Sequence, residues 1–203
     1  MSLVVDRACA RGDLCAAVEA AVRGGVDWLQ VRERALEGRA LLAHAEALAA
    51  AGRRGAGARA APLRVLVNRR ADVALAMRAD GVHLGFDAMA PRDARRVLGD
   101  AALLGASAHA PEEIDAAAGL SYVHLAPVFA PLSKRSERAP LGLETLARAA
   151  GRGVPVLAQG GIDAERARAA AAAGAAGVAV TGTILMTDDP ERAARALREA
   201  LDA

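Results

Sequence analysis

The stretch VPVLAQGGIDAERARAAAAAGAAGVAVTGT, Val154 to Thr183, decides the fold. Its first apolar run, Val154–Ala158, has the length of a buried strand. Gly160-Gly161 then turns the chain, and Asp163 has the chemistry of a helix N-cap. An alanine-rich helix is predicted from there to about Ala173. A second apolar run, Gly177–Val180, ends in Thr181-Gly182-Thr183. Strand, helix and strand in so few residues read as a parallel βαβ unit.

The same unit recurs to both sides. Further strands are predicted at Leu3–Val5, Trp28–Val31, Arg64–Val67, Gly81–Leu84, Ala102–Ala106 and Tyr122–Ala126. Helices are predicted after Gly12 with Asp13 as N-cap and Gly24-Gly25 as its end, over about Glu37–Ala51 and over about Ala71–Arg78. Others open at Pro91 and at Pro111, where Glu112 and Glu113 suit the positive helix end. The last two run over about Leu143–Ala150 and about Pro190–Leu201, the latter capped by Asp188 or Asp189. A doubly wound sheet also alternates in this way. Eight repeats in 203 residues, with no pause for a second domain, favour one (β/α)8 TIM barrel spanning 1–203. The one long connection, about Ala130 to Pro140, follows strand six. In this fold the loops after the strands build the active site, so a long loop there reads as functional.

Composition narrows the function classes. Of 26 basic side chains only one, Lys134, is lysine. Alanine makes up more than a quarter of the chain, and the arginine and alanine excess reads as drift of a GC-rich coding sequence. A net charge of +2 and four aromatic side chains argue against a nucleic-acid surface. Arg53, Arg54 and Arg59 read as a solvated loop. No long uncharged apolar stretch implies a membrane span, and no signal peptide is evident. Cys9 and Cys15 form no CxxC pair; both read as buried small hydrophobes in a reduced, cytoplasmic protein.

Chemistry is sought at strand ends. Strand two ends in Gln30-Val31-Arg32-Glu33-Arg34, where alternation puts Gln30, Arg32 and Arg34 on one side. Guanidinium groups in a barrel mouth need an anion, either a ligand or an acid, and for Arg32 that acid is Glu33 or an acid of the barrel. Strand three ends at Asn68, and strand five at Ser107-Ala108-His109. His83 and His109 read as satisfied core or capping groups. After strands seven and eight, Gly160, Gly161, Thr181, Gly182 and Thr183 form small-residue loops at the usual phosphate site of this fold. A phosphorylated substrate is expected.

Several segments then fall in a recognisable order. They are QVRER (Gln30–Arg34), VNRRADVALAMRADGVHLG (Val67–Gly85), GASAH (Gly105–His109), APVFAPLSK (Ala126–Lys134), PLGLE (Pro140–Glu144) and LAQGGI (Leu157–Ile162). Almost the whole chain resembles the thiamine-phosphate synthase family, which includes its TenI-type relatives. The resemblance implies a cytoplasmic enzyme of thiamine biosynthesis and a homodimer. The family synthase joins hydroxymethylpyrimidine diphosphate to a thiazole phosphate and releases diphosphate, using Mg2+. By this resemblance Gln30, Arg32, Arg34, Asn68, Ser133 and Lys134 hold the diphosphate and pyrimidine. Ser107 belongs to the pyrimidine pocket, and Gly161 with Thr181–Thr183 to the thiazole-phosphate site.

The chain also departs from the synthase pattern. Arg69 and Ala88 stand where the synthase has its two metal-binding aspartates, and Asp87 lies one residue early. No metal ligand is therefore assigned, and Mg2+ is expected only of an active synthase. On these residues the reading leans towards a TenI-type thiazole tautomerase. Such proteins use a histidine just before the VF of strand six; here that residue is Pro127. His124, three residues earlier, shares the face of Ala126 and points into the barrel, where it reads as a relocated acid/base or as a buried structural histidine. An active synthase and a non-catalytic precursor binder or regulator are the other two readings. Lys134, the lone lysine, sits in the long loop beside Ser133, where the family holds a diphosphate.

Overall fold

In a computed structural model of the chain, every apolar run becomes a strand. The structure describes residues 1–85, 88–115, 117, 119–130 and 138–203. The strands are β1 (Ser2–Val5), β2 (Trp28–Val31), β3 (Arg64–Asn68), β4 (Gly81–Leu84), β5 (Leu103–Ala108), β6 (Tyr122–Leu125), β7 (Val156–Gln159) and β8 (Gly177–Val180). They pair in parallel in chain order, and β1 closes on β8 to form a barrel. The helices are α1 (Leu14–Arg23), α2 (Gly38–Ala56), α3 (Ala71–Ala76), α4 (Pro91–Leu98), α5 (Glu112–Asp115), α6 (Gly142–Ala150), α7 (Ala164–Ala172), α8 (Gly182–Leu185) and α9 (Pro190–Asp202). This is the expected (β/α)8 barrel. Among the described residues no helix is long and apolar enough to cross a membrane.

Strand alternation divides the core in two. Leu3, Val5, Leu29, Val31, Val65 and Val67 face outwards and pack on the helices. Val4, Leu66, Tyr122, Leu157 and Ala179 fill the barrel interior, with Trp28 and Leu103 against them. Burial on both faces favours apolar residues at most positions of these strands.

The caps follow the sequence closely. Asp13 accepts from the backbone N–H of Cys15 and Ala16, and Asp163 from that of Arg166. Of the two candidates before α9, Asp189 is the cap, accepting from the Arg192 N–H.

Several details of secondary structure differ from expectation, two of them for a visible reason. β7 begins at Val156 rather than Val154, since Pro155 has no N–H to give the ladder. α2 runs on through Gly52 and Gly55 to Ala56. A Cβ at residue 55 would lie 2.2 Å from the Glu19 carbonyl oxygen, so glycine there permits close packing on α1. Thr181-Gly182-Thr183, read as loop, instead opens the one-turn helix α8. A 3-10 turn at Arg7–Cys9, capped by Asp6, was not expected at all, and the structure offers no further reason for it. Cys9 and Cys15 are half-buried rather than buried, because both lie near the start of the first βα unit and not on a strand.

Candidate active site

The C-terminal ends of the strands surround a cavity of about 670 Å3. Its construction follows from the register. Val5 pairs with Val31, so the next residues, Asp6 and Arg32, stand side by side. They form an ion pair, and each remains about one-fifth exposed. Of the two acids expected for Arg32, Glu33 or one of the barrel, it is the barrel acid, Asp6, that holds it. Glu33 pairs instead with Arg7 at 3.1 Å. Arg34 and Arg69 also line the cavity, as does Arg138. Four guanidinium groups face one space, and Asp6 is the only carboxylate among its described lining residues. The mouth is thus a field that attracts anions.

The structure brings most of the predicted binding residues together. Arg32, Arg34, Asn68 and Ser107 line the cavity on one side. Gln30 lies beneath them, 2% exposed, and its Nε2 donates to Asn68 Oδ1 at 3.3 Å. Across the mouth, Gly160, Gly161, Thr181, Gly182 and Thr183 line the same cavity. Gly160 and Gly161 both have positive φ, and a Cβ at residue 161 would lie 2.1 Å from the Ala130 carbonyl oxygen. Only glycine fits there. The Thr183 hydroxyl donates to the Ile162 carbonyl at 2.5 Å, tying the β7 loop to α8. Ser133, Lys134 and Asp87 lie outside the described residues.

His124 does not line the cavity. It is 1% exposed inside the barrel, its ring 4.5 Å from that of His83 and 5.2 Å from that of Tyr122. Burial, and then the neighbouring His83, hold its pKa well below the ordinary histidine value, against a hydrogen bond with Gln159. His83 is likewise pushed down, to about 4, by burial and then by Arg32. Both rings are therefore neutral near pH 7.

Asp6 and Arg138 escaped the sequence reading, and His109, read there as a core or capping group, reaches the cavity wall. Asp6 follows the first apolar run directly, which is the signal that could have found it. His109 lines the cavity, and its Nδ1 meets the Ala126 carbonyl oxygen, so that nitrogen carries the proton. Arg138 comes from the far end of the long loop, where no local pattern marks it.

A divalent cation such as Mg2+ needs carboxylate oxygens. Among the described residues, no group of three or more His, Cys, Asp or Glu could hold a metal. Asp6 is committed to Arg32, and Arg69 puts a cation where the resemblance expects an aspartate. The described donor set does not fit the metal.

In a (β/α)8 barrel, the glycine- and threonine-built loops after β7 and β8 stand where this fold commonly binds phosphate. The comparisons with known proteins are narrower. The family model described as thiamine monophosphate synthase matches residues 1–184. A thiamine-phosphate synthase of Roseiflexus castenholzii is 40% identical over 195 residues, covering 94% of this chain and 82% of that protein. One from Xanthobacter autotrophicus is 40% identical over 205 residues, covering 98% and 93%. Among solved structures, the thiamine phosphate pyrophosphorylase of Pyrococcus furiosus superposes with a TM-score of 0.84 at 27% identity, covering 99% of this chain and 94% of that one. The chain belongs to the thiamine monophosphate synthase family.

Proposed function

We propose that the chain is a transferase that joins hydroxymethylpyrimidine diphosphate to a thiazole phosphate. One observation carries this reading: a single cavity has two anion-attracting ends built from different chemistry. β3 and β7 stand four strands apart in a closed ring of eight, so Asn68 and Arg69 face Gly160 and Gly161 across the mouth. The glycine and threonine end suits a phosphate that stays bound, through backbone N–H groups. The guanidinium end suits a diphosphate that leaves, because charge builds on it as its bond breaks. In the transfer the thiazole nitrogen bonds to the pyrimidine methylene carbon. The carbon–oxygen bond to diphosphate breaks, and its electron pair leaves with the diphosphate. Ser133 and Lys134 are proposed to complete that end, on the strength of the APVFAPLSK segment.

This reverses the order in which the residues alone put the two enzyme readings. Relatives about 40% identical over nearly the whole chain are named synthases, which supports the transferase first. The test is incubation of the purified chain with both precursors, once with Mg2+ and once with chelator. Thiamine phosphate and diphosphate should form in equal amounts. No coupling under either condition would sink the proposal.

One observation favours the TenI-type tautomerase as a second reading: Arg69 lines the cavity at the aspartate position. On that reading His124 is the sequence-based choice of proton shuttle. His109 is the histidine that reaches the cavity wall. Isomerisation of a thiazole carboxylate phosphate without coupling would select this reading, and His124→Ala beside His109→Ala would show which ring moves the proton.

A further inference from the structure

Three polar groups form a chain from the barrel interior to the cavity wall. The Tyr122 hydroxyl lies 3.1 Å from His83 Nδ1. His83 Nε2 lies 2.9 Å from Ser107 Oγ. Tyr122 and His83 are 1% and 2% exposed, while Ser107 lines the cavity. The arrangement is built in, because Tyr122 occupies the place of a missing side chain on the next strand. A Cβ at Gly105 would lie 2.0 Å from Tyr122 Cζ. Trp28 braces the ring edge-on at 4.9 Å.

Donor and acceptor counting gives this chain a direction. His83 is the one hydrogen-bond partner of the Tyr122 hydroxyl among the described residues. The His124 ring lies 5.2 Å from the Tyr122 ring without a hydrogen bond to its hydroxyl, and Leu66, Leu157 and Ala179 pack in the same cluster. A buried hydroxyl proton without an acceptor is costly, so Tyr122 donates to Nδ1. Burial raises the Tyr122 pKa, which keeps that proton in place. Neutral His83 has one ring proton, and with Nδ1 accepting, it sits on Nε2. Nε2–H then donates to Ser107 Oγ. The hydroxyl proton of Ser107 is left to point away from His83, into the cavity. In the opposite direction Ser107 would donate to Nε2 and Nδ1–H to Tyr122, stranding the phenolic proton in the apolar interior.

We propose that Tyr122, acting through His83, fixes Ser107 as a hydrogen-bond donor into the cavity. Tyr122 and His83 are then positioning residues. Ser107 selects a ligand that offers a lone pair at that point, such as a heteroaromatic ring nitrogen, over one that offers an N–H. The ligand class rests on the proposed transferase reading; the direction of the chain does not.

The test reads the direction first, on the full chain without ligand. Nitrogen-resolved NMR of the imidazole rings, assigned with His83→Gln, should show His83 protonated on Nε2 and bare on Nδ1. Protonation on Nδ1 would overturn the proposal, whatever reaction the protein performs. Titration with hydroxymethylpyrimidine diphosphate comes second. Ser107→Ala and Tyr122→Phe should each weaken binding by about tenfold, and the double variant by no more than either. Additive losses with an unchanged fold would also overturn it. Absence of any binding by the parent chain would count against the transferase reading alone, with the NMR result still deciding the direction.

Discussion

The mouth of the barrel and the interior just beneath it use the same strands and treat charge in opposite ways. On β2, Gln30 is buried and neutral, while Arg32, two residues on, is charged at the cavity. On β4 and β6, His83 and His124 are buried as neutral rings, while Arg34, Arg69 and Arg138 line the cavity. The difference is water. A guanidinium at the mouth keeps part of its hydration and gains an anion, whereas a charged imidazole one layer down would lose its hydration and gain nothing. The two regions are also coupled. Arg32 adds to the burial that holds His83 neutral, so the mouth's charge helps to set the protonation state of the interior.

Acid should break the comparison most strongly. The folded pKa of His83 is about 4, against 6.5 ordinarily. Between these values the unfolded chain binds a proton that the folded chain refuses. Stability is therefore full above pH 6.5 and falls as pH drops towards 4. Below about 4 this group costs nothing further. The loss from His83 is about 3 kcal/mol, and His124 shifts in the same direction. Urea unfolding midpoints measured from pH 7.5 to 4.5 should decline across this window. A flat profile would mean that the rings are not buried neutral.

A smaller effect is expected from Gly105→Ala, which crowds only the interior. The added Cβ meets the Tyr122 ring, and overpacking of this kind costs about 1–3 kcal/mol. Chemical denaturation at pH 7.5 measures it, where the histidines contribute no loss. A cost under about 0.5 kcal/mol would show that Tyr122 moves aside easily.

The smallest effect belongs to the mouth. Asp6 and Arg32 are both partly exposed, so their ion pair contributes little to stability. Asp6→Asn should leave the unfolding midpoint nearly unchanged. It should tighten binding of inorganic diphosphate about two- to fivefold at low salt, since Arg32 loses a competing carboxylate. Calorimetric titration reads this, and unchanged affinity would remove Arg32 from the diphosphate end.

Most of the fold was legible because it is written in local patterns. Asp13 and Asp163 cap the helices they were expected to cap, and Pro91 opens α4. Gly160, Gly161 and Thr181–Thr183 line the cavity as expected, because this fold puts its functional loops at fixed strand ends. Asp6 was missed because its partner, Arg32, is 26 residues away and meets it only through strand register. Of the two readings of His124, burial inside the barrel matches the structural histidine, and the inward direction was readable from alternation. Its depth within the barrel was not readable, because alternation gives a face and not a layer.

By itself the sequence determined the eight strands, their apolar faces and the family, since periodicity, caps and motif order are properties of neighbours along the chain. Barrel closure decided the rest. It set Asp6 against Arg32, gathered four guanidinium groups around one cavity, and sealed His83 and His124 beneath its floor. Hydration and pairing depend on what comes close in space, and only the closed barrel brings these residues close.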